Sequence, residues 1–362
     1  MRRPVVIVGG GLAGQRFAET LRRQGFDGPL QMICAEPVAP YDRPPLSKEL
    51  LAGVRSATSL RLRDDAWYRD NDVDLRLGAR ATGIDAHRRA VDLSDGATVR
   101  YDRLLIATGA VPRVPAQLQG FDNVHVLRDL AHAVALSERL KPGARLVIVG
   151  GGFIGLEVAA TALALGAEVT IVEAAAAPLC GPLGQEIGAW FARWHRSRGA
   201  TVHVGAQIVG VSGGRAITEL ALSDGTRVAA DVVLAAIGVA PATEWFGDAI
   251  GAPGVFAAGD VTGGSHWEAA VRDGANAARA LLGKPLAPEP PAGFWSDQHG
   301  VRFQLVGDPA GAHMTTLDGD LDACDFSITY WRGNQPAAIL LAGRPAELPS
   351  ARRAIEMKRT AA

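Results

Sequence analysis

Short unbroken apolar runs that end in glycine set the rhythm of this chain. Residues 5–8 read VVIV and run straight into GGGLAG, after which a stretch of mixed polarity extends to Gln24 before Gly25. An apolar run of that length predicts a strand buried on both faces, and the mixed stretch predicts a helix that glycine stops. The succession returns at 146–155 as LVIVGGGFIG, with a helix predicted over 153–165 and a stop at Gly166. Further buried strands are predicted at 30–34, 104–108, 168–172, 232–236 and 255–257, and further helices at 64–70 and 267–282. Between 74 and 101 the pattern changes to shorter strands at 74–77, 79–84, 90–93 and 98–101, with Ser94-Asp95-Gly96 as a hairpin turn.

The two halves repeat each other beyond their glycine loops. S-D-G recurs at 223–225, and buried strands close at Gly109 in one half and at Gly238 in the other. The offset is 141 residues at the loops and 129 at the closing glycines. A repeat of this order predicts one nucleotide-binding architecture used twice. The expected fold class is therefore α/β, with two Rossmann-like dinucleotide-binding domains. Prolines between 285 and 291 mark a linker, and the last segment has strand signals at 303–306, 326–330 and 338–341. It is expected as a small C-terminal α/β domain whose tail, with Arg352, Arg353, Lys358 and Arg359, reads as partly loose.

Composition narrows the function classes. The 43 glycines in 362 residues are about 12%, against a usual value of about 7%, which suits many tight turns and close backbone approaches to ligands. A formal net charge of -1 gives no global field toward nucleic acid or an anionic membrane. No apolar run approaches the roughly 18 residues of a membrane span, and the run at 5–8 is too short for a signal-peptide core. Cys34, Cys180 and Cys324 lie far apart with no C-x-x-C spacing. That argues against a disulfide framework, a metal site and an internal redox pair, and a reducing cytoplasm is the expected location.

The candidate chemistry begins at the glycines. Gly9, Gly11 and Gly14 hold the spacing G-x-G-x-x-G, and Gly150, Gly152 and Gly155 repeat it. The first glycine makes a tight turn, the second lets backbone approach a pyrophosphate, and the third lets helix pack on strand. One such loop is a weak signal, but two in register imply two dinucleotides and electrons passing between them. Glu36 stands 22 residues beyond Gly14, where an acidic residue meets an adenosine ribose; the plainer alternative is an exposed loop glutamate. Glu173 stands 18 residues beyond Gly155, and 174–177 contain no arginine or lysine. A carboxylate there repels a 2′-phosphate, which favours NADH over NADPH.

Two other stretches stand out. PYDRPPLSK at 40–48 is stiffened by three prolines and presents Arg43 and Lys48, or is simply a turn opening a helix at Leu46. Asp260, after Gly259, suits either a ribityl or pyrophosphate contact or a turn or N-cap role.

In their order along the chain, the two glycine loops, PYDRPPLSK, IATGAVPR (106–113), GGGFIGLE (150–157), AAIGVAP (235–241), FAAGD (256–260) and FWSDQ (294–298) resemble the oxygenase-coupled NADH-dependent ferredoxin reductases. That family includes putidaredoxin reductase and the reductases of aromatic-ring dioxygenases. The match covers nearly the whole chain. PYDRPPLSK and FWSDQ are its most specific parts, because the wider glutathione-reductase-like superfamily shares the glycine loops.

The resemblance implies a discontinuous FAD domain at 1–109 and 239–290, an NAD domain at 110–238 and a C-terminal domain at 291–362. It implies FAD contacts at Gly9, Gly11, Ala13, Gly14, Ala35 or Glu36, Arg43, Lys48, Ala81 through its backbone, Ala107, Thr108, Gly109, Arg128, Gly259, Asp260 and Trp267. It implies NADH contacts at Gly150, Gly152, Phe153, Ile154, Gly155, Glu157, Glu173 and Gly238. Lys48 and Glu157 are expected to form an ion pair near the flavin N5 and to act in catalysis. Trp267 and Trp295 are expected to wall the flavin, with core packing as the alternative.

The implied reaction is hydride transfer from NADH to FAD, then single electrons to an acidic 2Fe-2S ferredoxin that docks transiently and serves an oxygenase. An NADH:quinone reductase or an apoptosis-inducing-factor-like flavoprotein is the alternative. This chain departs from the pattern in the short bridge at 242–254, which suggests a missing hairpin at the NAD-domain edge, and in the absence of a basic residue after Glu173.

Overall fold

The computed structural model describes residues 3–264 and 266–359. Its backbone contacts divide it into two compact units, one of Met1–Asp42, Thr58–Val111 and Ala240–Pro290, the other of Arg43–Ala57, Pro112–Val239 and Pro291–Ala362.

The first unit is built on a parallel sheet in the order Val255–Ala257, Arg103–Ile106, Val5–Val8, Leu30–Ile33 and Val73–Arg76. Val5–Val8 is central and wholly buried because both faces are covered. Successive side chains in a strand point to opposite faces. Val5 and Ile7 accordingly join Phe17, Ala18 and Leu21 of the helix Leu12–Arg23, while Val6 and Val8 join Val91, Val99 and Tyr101. The latter three belong to or flank an antiparallel layer of Ala81–Asp85, Ala90–Leu93 and Thr98–Arg100. Burying each large apolar side chain contributes about 1.5–3 kcal/mol.

The helix Trp267–Leu281 lies against Leu12–Arg23 so closely that a Cβ on Gly274 would stand 2.2 Å from the Ala13 carbonyl oxygen. The short bridge at 242–254 belongs to this unit and sends Phe246 and Ala249 into its core.

In the second unit a parallel sheet runs Thr201–Val204, Glu168–Glu173, Arg145–Val149, Val232–Ala235 and Val124–His125. The strands Ile208–Gly213, Ile217–Leu222 and Arg227–Ala229 form its antiparallel companion. The C-terminal segment adds an antiparallel sheet in the order Gly293–Gln298, Val301–Gly307, Gln335–Ala342, Asp325–Arg332 and Met314–Asp320.

Trp190, Phe191 and Trp194 of the helix Gln185–Ser197 meet Phe303 and Phe326 of that sheet with ring centroids 4.9–6.1 Å apart. Tyr330 donates to the Leu183 carbonyl at 2.9 Å. The tail forms the helix Leu348–Arg359, whose buried Ala351 and Ile355 join the core of that sheet.

Candidate functional site

Each glycine of the first loop meets a different constraint. Gly9 has φ +125, and a Cβ there would lie 2.1 Å from the Ala107 carbonyl oxygen. A Cβ on Gly14 would lie 2.3 Å from the Gly9 carbonyl oxygen and 3.1 Å from Ile7 Cγ2, so this position welds helix to strand. A Cβ on Gly11 would meet nothing within 4 Å. Gly11 is also the N-cap of Leu12–Arg23, and no side chain caps the helix. Free N–H groups and the positive helix end therefore open onto a space that the chain leaves clear, a cradle that suits a pyrophosphate.

The other sequence-predicted residues of this unit surround or support that loop. Ala107 is buried beneath Gly9, and Gly109 has φ +72. Thr108 donates through Oγ1 to the Ala242 carbonyl at 3.1 Å. Glu36, after the strand Leu30–Ile33, accepts from the Tyr41 hydroxyl at 2.5 Å, while Ala35 is exposed. Ala81 opens its strand and is buried. A Cβ on Gly259 would touch the Ala13 Cβ at 3.0 Å, which places the Gly259–Thr262 turn carrying Asp260 against the first helix. The N-cap of Trp267–Leu281 is His266, so Asp260 does not cap that helix. Trp267 donates from Nε1 to Asp42 Oδ1 at 2.7 Å.

The second unit repeats the cradle. Gly150 has φ +109, with a Cβ position 2.5 Å from the Ala236 carbonyl oxygen. A Cβ on Gly155 would lie 2.3 Å from the Gly150 carbonyl oxygen. Gly152, the uncapped N-cap of Phe153–Ala164, again faces open space, its nearest neighbour being 4.0 Å away. Gly238 has φ +93 and likewise faces open space.

Glu173 ends its strand with Oε2 accepting from the Gly151 N–H at 2.6 Å and Oε1 from the Ala175 N–H at 2.7 Å. A carboxylate offers about four acceptor sites, so lone pairs remain for a ribose. Ile154 is exposed beside the loop, and Phe153 stacks on Phe294 at 4.1 Å between centroids. Arg43 donates to the Arg128 carbonyl, tying two predicted FAD contacts together. Trp295 lies on the strand Gly293–Gln298, partly buried.

The ion pair expected from the resemblance is present. PYDRPPLSK makes one 3-10 turn, Pro44–Ser47, with Lys48 at its C-cap. Lys48 Nζ lies 2.8 Å from Glu157 Oε2. Glu157, only 6% exposed, also accepts from Ser47 on Oε2 and from Ser296 on Oε1 at 2.8 Å. Thr161, four residues on and therefore on the same helix face, donates to the Ser47 carbonyl at 2.8 Å and holds the turn against the helix. Three donors thus meet one buried carboxylate and replace the water that burial removes. Ser47 and Ser296 were visible in PPLSK and FWSDQ, but nothing in the sequence pattern said that they face one carboxylate.

Of the three cysteines, Cys34 is buried, and burial pushes its thiol up to about 12. Among the described residues no group of three or more His, Cys, Asp or Glu is placed to hold a metal. No helix among them is long and apolar enough to cross a membrane.

Two like-built cradles, one per unit, already narrow the family, and a family model settles it: the model for pyridine nucleotide-disulphide oxidoreductases matches residues 3–274. The chain belongs to that family. The reductase C-terminal model matches residues 293–362.

Among relatives, the chain is 40% identical to the ferredoxin–NAD(+) reductase component of the biphenyl dioxygenase system of Paraburkholderia xenovorans, over 87% of this chain and 84% of that protein. It is 36% identical to the corresponding component of the p-cumate 2,3-dioxygenase system of Pseudomonas putida, covering 98% and 93%. Among solved structures, the covalent putidaredoxin reductase–putidaredoxin complex superposes with a TM-score of 0.92 at 33% identity, covering 98% of this chain and 93% of that one. A NAD-dependent persulfide reductase from A. fulgidus, at 21% identity and TM-score 0.83, shares the fold.

Proposed function

We propose that this pyridine nucleotide-disulphide oxidoreductase is a FAD-dependent NADH:ferredoxin reductase that supplies an oxygenase. The observation that carries this reading is the pair of open glycine cradles in one chain, together with the ion pair of Lys48 with the buried Glu157. Relatives that are reductase components of dioxygenase systems support it. FAD held by the first cradle would supply a hydride acceptor for the nicotinamide and a one-electron donor for a 2Fe-2S partner.

The chain's own residues bind and orient. Gly9, Gly11, Ala13, Gly14, Ala35, Glu36, Arg43, Ala81, Ala107, Thr108, Gly109, Arg128, Gly259, Asp260, Trp267 and Trp295 are assigned to FAD. Gly150, Gly152, Phe153, Ile154, Gly155, Glu173 and Gly238 are assigned to NADH, with Glu173 and the cation-free 174–177 favouring it over NADPH. Lys48 and Glu157 hold each other in position for the transfer. We assign the FAD domain to 1–109 and 239–290, the NAD domain to 110–238 and the C-terminal domain to 291–362.

The partner is an acidic 2Fe-2S ferredoxin held transiently by local arginine and lysine, so its affinity falls as salt rises. The three free cysteines suit the cytoplasm. A thiol-handling role is disfavoured because the protonated, buried Cys34 is a poor nucleophile.

The test is NADH-driven cytochrome c reduction by the flavin-loaded protein, with and without added 2Fe-2S ferredoxins. Strong dependence on one ferredoxin supports the proposal. Equal rates without any would favour a quinone or other acceptor.

A further inference from the structure

Seven polar or charged side chains are buried among the described residues, and five of them belong to one connected chain: Ser47, Glu157, Ser296, Gln298 and His195. Ser296 and Gln298 alternate with Asp297 on the strand Gly293–Gln298, so both turn inward while Asp297 turns out to pair with Arg302. Ser296 Oγ lies 2.8 Å from Glu157 Oε1, Gln298 Nε2 lies 3.0 Å from Ser296 Oγ, and His195 Nε2 lies 2.9 Å from Gln298 Oε1. His299 Nε2 lies 3.3 Å from His195 Nδ1.

The direction of every bond follows from one fact: an ionised carboxylate only accepts. Ser296 must therefore give its proton to Glu157 and accept from the Gln298 amide. That turns Gln298 Oε1 toward His195, which must then carry its proton on Nε2. A bare Nδ1 remains, and His299 donates to it. Burial holds both imidazoles well below their ordinary range, at about 4, so both are neutral near pH 7. The amide of Gln298 makes this chain a poor proton wire. What it carries is polarity: every donor is aimed at Glu157, and such aligned bonds strengthen one another in a dry interior.

We propose that Ser296, Gln298 and His195 are positioning residues for Glu157, a one-way hydrogen-bond chain that keeps the carboxylate turned toward Lys48, with the His195 tautomer locked by that acceptor. The proposal rests on the hydride-transfer reading above for its kinetic consequence, but not for its tautomer.

Two measurements on the flavin-loaded full chain test it. With 15N-labelled histidine, the His195 signals are assigned by their loss in His195→Gln. The native protein should show a neutral ring protonated on Nε2, and Glu157→Gln, which removes the acceptor-only end, should bring in the Nδ1-protonated form. An Nδ1 proton in the native protein, or no change in Glu157→Gln, overturns the proposal.

In stopped flow, Gln298→Met should slow flavin reduction by NADH about tenfold in the native background but leave the rate in the Glu157→Gln background nearly unchanged. Equal slowing in both backgrounds would make the chain mere scaffolding and overturn the proposal. Should Gln298→Met fail to fold, the histidine spectra of the native protein and Glu157→Gln decide alone. Should native protein not be reduced by NADH at all, the functional reading falls while the tautomer result still stands or fails by itself.

Discussion

Lys48 Nζ and Glu157 Oε2 stand 2.8 Å apart, and the two residues sit 109 positions apart in the chain. The proline turn supplies the lysine, and the second turn of the second glycine-loop helix supplies the carboxylate. Lys48→Ala leaves Glu157 buried with only the two serine hydroxyls. A hydrogen bond to a charged group contributes about 1.5–3 kcal/mol, which corresponds to roughly 10- to 100-fold in rate. Flavin reduction by NADH in stopped flow should slow by that amount while the bound FAD, read from the visible spectrum, stays stoichiometric. Rapid, unchanged reduction would remove Lys48 from the mechanism.

The glycine loops separate folding from binding. Gly14→Ala drives a Cβ to 2.3 Å from backbone, and Gly155→Ala does the same in the second unit. Each should lower stability by about 1–3 kcal/mol or more, as overpacking does, seen as an earlier melting transition. Gly11→Ala and Gly152→Ala meet no protein atom closer than 4.0 Å. They should fold, yet Gly11→Ala should lose FAD on gel filtration, and Gly152→Ala should raise the KM for NADH. Tight FAD retention by Gly11→Ala would mean that the pyrophosphate lies elsewhere.

These loops were legible because their constraint is local: strand, turn and helix N-terminus follow one another in sequence, and the glycines mark each step. The parallel strands were legible for a similar reason, since burial on both faces writes an unbroken apolar run. The helix Gln185–Ser197 left no start signal, because its N-cap is Gly184 at φ +83 with no capping side chain. The strand Met314–Asp320 is exposed along its length and sits at a sheet edge, so no alternation announced it. Ser47, Ser296, Gln298 and His195 are linked to Glu157, directly or one through another, from three separate segments. Only tertiary structure brings such residues together, and family motifs could name the segments without showing which side chains meet.

Cysteine reactivity checks the exclusion of thiol chemistry. Cys34 is 2% exposed, with burial the main cause of its raised pKa and Glu36 adding to it. Cys324 is buried, and Cys180 is partly exposed. A maleimide applied to the native protein at neutral pH should label Cys180 first, leaving Cys34 unlabelled until the protein unfolds, since thiolate and access are both required. Cys34→Ser should keep NADH-dependent flavin reduction. Loss of that step with FAD still bound would reopen a thiol mechanism.

The buried imidazole also predicts an acid weakness with a definite sign. His195 is fully buried, and desolvation lowers its pKa to about 4 from 6.5, with only the Gln298 hydrogen bond opposing. Above about pH 6.5 the folded and unfolded states both hold it neutral, and it makes no pH-dependent contribution. As pH falls from 6.5 toward 4 the unfolded chain binds a proton that the folded chain refuses, so stability declines, by about 3 kcal/mol at the bottom of that window. His299 titrates in the same direction, its pKa lowered by burial first and then by His195 and Arg198. His195→Gln keeps an amide donor for Gln298 and has no proton to gain. Its melting temperature should therefore fall less steeply than that of the native protein between pH 6.5 and 4, while the two curves run parallel above pH 7. Parallel curves throughout would show that His195 is protonated in the folded state at an ordinary pH.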